Sequence, residues 1–283
     1  MRIKKHTNRN DYALTPEGIW VRNLTKKNAP SLDINDLAKS DFPLLLNNEL
    51  ENNKKRYPYF EFNQKYYDGA VIVSDGYNFI KYQEVLATLP KNIIILAVNR
   101  SLANWKLVGN TDLKKSINYY VVNNPFQECN MFLPQKHRYY PKCIASCRTN
   151  PSFLEEYRGE KYLYRPTSES YFNNSLSNET EQKIDDYRNP ICAAVSLAET
   201  FKVNKIAMFC CDASFDQNMS GSIKLENELY CYPQQITSQN ILDNMFYWLK
   251  TNKKISIVDC SMGIKYKNAP YINLNKLNNF FEE

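Results

Sequence analysis

Between Asn92 and Asn99 the chain runs Ile93-Ile94-Ile95-Leu96-Ala97-Val98, six apolar side chains with no polar position among them. Alternating polarity would mark a strand with one wet face. Unbroken apolarity over strand length needs cover on both faces, which is the environment of a parallel sheet between layers of helices. Runs of the same kind stand at Ala70-Val71-Ile72-Val73, Tyr119-Tyr120-Val121-Val122, Ile206-Ala207-Met208-Phe209-Cys210-Cys211 and Ile255-Ser256-Ile257-Val258. Strands are therefore predicted over 70–74, 93–98, 119–123, 205–211 and 255–259, in one mainly parallel sheet.

The segments between them carry helix signals. Residues 77–89 hold apolar side chains at helical spacing and stop at Pro90; 101–107 reads as a second helix. Asn189-Pro190 places a good N-cap before a proline at the first helical position, and Ile191, Ala194, Val195, Ala198 and Phe201 share one face beyond it. A further helix is predicted over 238–249. Lys142-Cys143-Ile144-Ala145 and Tyr162-Leu163-Tyr164 suit additional strands, and the polar stretch 171–181 reads as a loop. Strand alternating with helix at this spacing defines an α/β protein.

Composition excludes several classes. Of 283 residues, 43% are hydrophobic and 23% charged, enough to fill a core and too many for a disordered chain. Two histidines exclude a His-rich metal site, and seven glycines accompany neither a G-x-x-x-x-G-K-[ST] nor a G-x-G-x-x-G motif. The net charge of +6 is spread along the chain; its densest basic run, Lys54-Lys55-Arg56, reads as a solvated face, so nucleic acid is not an expected partner. No apolar stretch approaches membrane length, and the basic start Met1-Arg2-Ile3-Lys4-Lys5-His6 precedes no apolar segment. Eight cysteines contain no C-x-x-C pair, and most sit in apolar runs; buried reduced thiols and a cytoplasmic location are expected.

In open parallel sheets ligands bind beyond the carboxyl ends of the strands, near the reversal of strand order. Polar clusters fall at those ends: Ser74-Asp75-Gly76, Asn99-Arg100-Ser101, Asn123-Asn124 and Asp212 after Cys211. Arg188-Asn189 precedes a helix whose free N–H groups suit an anion. Each also has a plainer reading: Asp75-Gly76 as a turn pair, Asn99 as the cap of the helix at Ser101, Asp212 as a turn cap, Arg188 as a surface ion pair.

The second half of the chain resembles a known family. Pro190-Ile191-Cys192-Ala193-Ala194-Val195-Ser196-Leu197-Ala198, followed by Lys205-Ile206-Ala207-Met208-Phe209-Cys210-Cys211-Asp212, is similar to the helix–strand–aspartate signature of the MptE-like (6-hydroxymethylpterin diphosphokinase-like) family, related in fold to bacterial sialyltransferases. The opening strand, the strand ending in Asn99 and the Asn123-Asn124-Pro125 end follow in the same order. Of the family's Gly-x-Gly-Pro-Ser-Leu phosphate loop only Gly76 is kept, and no histidine stands near Gln235 to Ser238, where the sialyltransferases carry one.

The resemblance implies a Rossmann-like α/β domain over 65–272, with an N-terminal extension over 1–64 and a C-terminal tail over 273–283. It implies a nucleotide-binding transferase using ATP or a nucleotide-activated donor. Asp212 would be the catalytic carboxylate; Ser74, Asp75, Gly76, Asn99, Asn123, Asn124, Arg188 and Asn189 would hold the nucleotide. A magnesium ion between Asp75 and the nucleotide would offset the acid in the phosphate loop. Two other readings stand beside this one: a glycosyltransferase with a sugar-nucleotide donor, and a Rossmann-like binding or assembly protein without catalysis.

Overall fold

The computed structural model describes residues 12–14, 20–23, 34–61, 66–74, 79, 83–104, 107–108, 111–112, 117–133, 140–167, 183–211, 223–225, 228–231, 233–261 and 266–282. Eight strands form one sheet: β1 Gly69–Val73, β2 Ile93–Val98, β3 Tyr119–Val122, β4 Lys142–Ser146, β5 Lys161–Pro166, β6 Lys183–Ile184, β7 Lys205–Phe209 and β8 Ser256–Asp259. Their spatial order is β6-β5-β4-β3-β2-β1-β7-β8, and every pairing is parallel. This is a Rossmann-like α/β architecture, as the apolar runs predict. Every residue of β1 and β2 is buried, the consequence of runs with no polar side to turn outward.

The order fixes where the chain reverses. From β1 it steps outward through β2 to β6, then returns across the sheet to place β7 on the other side of β1. The return is made by helix α4, Pro190–Thr200, once α1 Ile34–Lys54, α2 Ser101–Asn104 and α3 Pro151–Glu156 are counted before it. Asn189 accepts from the Ile191 N–H at 2.8 Å, and Pro190 opens the helix, as the sequence signals. Ile191 to Ala198 are all buried, and α4 packs on β1, β2 and β3. Cys192, Ala193, Ala194 and Ala198 let the helix lie close to the strands. Helix α5, Pro233–Trp248, covers the same face through Leu242 and Phe246.

Some elements depart from the sequence reading. A helix or two broken at Pro43 is expected after Asp33; a single helix, α1, runs through Pro43 to Lys54. Tertiary bonds hold its second half: Asn48 Nδ2 donates to the carbonyls of Pro125 and Arg148, and Asn52 Nδ2 to those of Cys147 and Thr149. Both asparagines are buried. Four docked carbonyls outweigh the one helical bond a proline removes. The second half of α1 is thus fastened to the sheet through Asn48 and Asn52. Beyond α1, Pro58 and Phe60 also bond alongside Leu163 in β5. Strand β6 has only two residues, too short to stand out from the sequence. The helix at Ser101 is one turn, and a 3-10 segment, Gln83–Thr88, lies within the region read as the first helix.

Near the end of the chain α6, Leu277–Glu282, packs with Leu277 and Phe281 buried. Gly69 lies directly under the Phe281 ring, where any Cβ would collide with it. Trp20–Asn23 joins Tyr12–Leu14, Glu228–Cys231 and Ile223–Leu225 in a small antiparallel sheet. Among the described residues seven cysteines are buried free thiols. Burial pushes the Cys129, Cys143, Cys147 and Cys192 thiols far up, so they are protonated and chemically inert at neutral pH.

Candidate functional site

The reversal of strand order lies between β1 and β7, so the position at which open α/β sheets bind ligands falls where Ser74 leaves β1 and Cys210 leaves β7. The Ser74 N–H donates to the Phe209 carbonyl at 3.0 Å, which carries the sheet's pairing to its rim.

Backbone strain marks the same rim. Among the described residues seven non-glycines have positive φ. Arg56, Lys202 and Lys254 follow helix C-termini, where left-handed residues are ordinary. The other four are Asn99 (φ 43°), Tyr187 (φ 44°), Arg188 (φ 57°) and Cys210 (φ 54°). Asn99 and Cys210 end β2 and β7, the two neighbours of β1; Tyr187 and Arg188 lead from β6 into α4. Such conformations cost of order 1–3 kcal/mol each and concentrate at functional sites.

Asn99 is held by its backbone: its N–H donates to the Val121 carbonyl at 3.2 Å, and its carbonyl accepts from the Tyr120 hydroxyl at 2.8 Å. Its Oδ1 is buried and has no hydrogen-bond partner among the described residues. The helix-cap reading of Asn99 therefore does not hold, since a cap would spend that oxygen on an N–H.

A second group centres on Asp186, buried after β6. Its carboxylate accepts from the Tyr164 hydroxyl at 2.9 Å, the Asn123 amide at 3.4 Å and the Arg188 N–H at 3.0 Å. Burial raises the Asp186 carboxyl above the ordinary range, and those three donors partly oppose the rise. Beside it, buried Glu49 of α1 accepts from Arg148 Nε at 3.1 Å and from Arg165 Nη1. Arg165 also reaches the Tyr59 hydroxyl at 3.1 Å.

Of the residues expected from the sequence, Ser74, Asn99 and Asn123 lie at the carboxyl ends of three adjacent strands, and Arg188 joins Asn123 through Asp186. Asn124 and Asn189 carry their side-chain oxygens on local N–H groups, of Phe126 and Ile191. Asp75, Gly76 and Asp212 lie outside the described residues. Sequence reasoning missed Asp186, Glu49, Arg148 and Arg165. The signal available for Asp186 was its place three residues before the N-cap Asn189. Nothing local marks Glu49, whose partners are 99 and 116 positions away.

Fold and rim together define a Rossmann-like α/β protein whose strand order reverses between β1 and β7. MAf glycosyltransferase from Magnetospirillum magneticum AMB-1 is similar in structure, with a TM-score of 0.56 at 13% identity over 83% of this chain. The present chain spans 39% of that protein's length, and the likeness is one of fold. No protein-family model matches the chain, and no curated protein matches it in sequence. No helix among the described residues is long and apolar enough to cross a membrane.

Proposed function

We propose that the chain is a glycosyltransferase that binds a sugar-nucleotide donor across the carboxyl ends of β1, β2 and β7. The observation that carries this is the pair of left-handed residues, Asn99 and Cys210, on either side of β1 at the reversal of strand order. The shared fold with a glycosyltransferase supports the reaction class; the retained order of strand ends supports the nucleotide.

In this reading Asn99 Oδ1 accepts a ribose hydroxyl or a base amino group, and Ser74 and Asn123 line the crevice. The Arg188 guanidinium, at the start of α4, offsets the donor's diphosphate together with the helix N–H groups. Asp212, at the exit of β7, takes the proton from the acceptor hydroxyl. The acceptor oxygen then bonds to the anomeric carbon while the bond from that carbon to the diphosphate breaks, and the nucleotide leaves with the electron pair. Magnesium would enter on the donor's diphosphate, with Asp75 as its protein ligand. The signature that resembles the MptE-like family falls on α4 and β7, so the same crevice would serve an ATP-dependent diphosphoryl transfer.

Melting against CMP-, UDP- and GDP-sugars, ATP and GTP tests the reading. A ligand at a hundred times its dissociation constant adds about 2.7 kcal/mol. Stabilisation by a sugar nucleotide that exceeds that by ATP or GTP is expected. Preference for ATP or GTP would move the chain to diphosphoryl transfer, and no stabilisation by any of them to a non-catalytic binding protein.

A further inference from the structure

A cleft of about 510 Å³ opens between α4 and α5, on the helix side of the Tyr187 turn. Its walls include Tyr187, Ile241, Met245 and Trp248, and its charged groups among the described residues are two carboxylates, Asp185 and Glu199. The volume lies in the range of ligand sites. Ser196 Oγ donates to the Asp185 carbonyl at 2.8 Å, which fixes Asp185 against α4 one helical turn from Glu199. The two carboxylates thus flank one apolar, aromatic floor. Burial, then the charges of Asp186 and Glu199, push the Asp185 carboxyl upward, and a cation placed there favours its charged form.

The chain itself shows what this surface accepts. Lys253 Nζ lies 2.7 Å from Glu199 Oε1 and 5.2 Å from the centre of the Trp248 ring. An ammonium held between a carboxylate and an indole face is a cation-recognition pair. Asp185 supplies a second carboxylate to the same cleft, which Tyr187 also lines. Trp248 is 45% exposed, and its neighbour Tyr247 is 60% exposed. Large aromatics left in water beside a lined cleft are the composition of a binding surface.

We infer that this cleft is a docking site for a basic peptide segment of another protein, which places a lysine or arginine on Asp185 and an adjacent apolar side chain on Met245 and Trp248. Charge complementarity selects the occupant: the cleft presents carboxylates and aromatic faces, and Lys253 already pairs with Glu199. The inference is independent of the transferase reading, since it concerns a surface outside the β1–β7 crevice.

The test uses the full chain and a labelled peptide, acetyl-Leu-Lys-Phe-Lys-Leu-amide, with a counterpart carrying norleucine for both lysines, read by fluorescence anisotropy. The lysine peptide is expected to bind at least about tenfold more tightly than the neutral one. Asp185→Asn and Trp248→Ala, both at exposed positions, are expected to weaken it about tenfold. Lys253→Ala, which frees Glu199 and the indole face, is expected to tighten it, whereas Lys250→Ala removes the same charge from the same turn and leaves affinity unchanged. Equal binding of the neutral peptide, or an unaltered affinity in Asp185→Asn, overturns the proposal. Spermidine binding as tightly as the peptide overturns the peptide assignment. Matching melting curves for the variants exclude unfolding as the cause.

Discussion

Asn99 and Cys210 end the two strands that flank β1, and both are left-handed, with φ of 43° and 54°. An asparagine tolerates that conformation better than most residues, but glycine tolerates it best. Asn99→Gly therefore separates strain from recognition. The variant loses the buried, unpartnered Oδ1 and gains backbone ease. Its unfolding free energy is expected to match or exceed that of the wild type by up to about 1 kcal/mol. Its affinity for the sugar nucleotide that stabilises the wild type is expected to fall about tenfold, about 1.4 kcal/mol. Unchanged affinity, by calorimetry, would remove Asn99 from the site.

Asp212 is proposed as the group that takes the acceptor's proton. Asp212→Asn keeps the shape and much of the hydrogen bonding and removes the base. Turnover is expected to drop at least tenfold, about 1.4 kcal/mol in the transition state, with little change in melting temperature. A turn cap would behave the other way, losing about 0.5–2 kcal/mol of stability with turnover intact.

The Glu49 carboxylate is shared by Arg148 and Arg165, and all three side chains are buried. Removing one member of a buried ionic group strands the charges that remain, at about 3–5 kcal/mol. Glu49→Ala is expected to lower the unfolding free energy from urea titration by that amount, and removal of residues 1–60 to do at least as much, because it also takes Asn48 and Asn52 from the carbonyls they bind. A loss under about 1 kcal/mol would mean that α1 rests on the sheet without fastening it.

The parts of this fold that were legible in the sequence are those written in consecutive residues. Ile93 to Val98 declare a doubly covered strand because both faces are buried, and Asn189-Pro190 declares a helix start because cap and proline are neighbours. From strand ends alone, Ser74, Asn99 and Asn123 could be placed on one rim. What escaped depends on contacts distant in sequence. The two-residue strand β6 exists because Arg165 and Pro166 offer it an edge, and α1 passes Pro43 because Asn48 and Asn52 find carbonyls after β3 and β4. Glu49 could not be distinguished from any exposed helical glutamate, since its partners come from β5 and the turn after β4.

The last prediction concerns Asp186, whose folded-state carboxyl is raised by burial against the pull of its three donors. A carboxyl that is more basic in the folded than in the unfolded chain binds its proton preferentially in the folded state. Its contribution is fully present below the unfolded value, near 4, and is lost as pH rises through the folded value. The sign is opposite to that of an ordinary paired aspartate. Asp185, raised first by burial and then by Asp186 and Glu199, adds in the same direction. Asp186→Asn removes the titration while leaving an acceptor for the Tyr164 hydroxyl or the Arg188 N–H. Relative to that variant, the wild type is expected to lose stability from about pH 4 upward, until the folded group is ionised. Urea unfolding of both proteins at half-unit steps from pH 4 to 8 reads this directly. A wild type that instead gains on the variant as pH rises would show that the donors, not burial, govern Asp186.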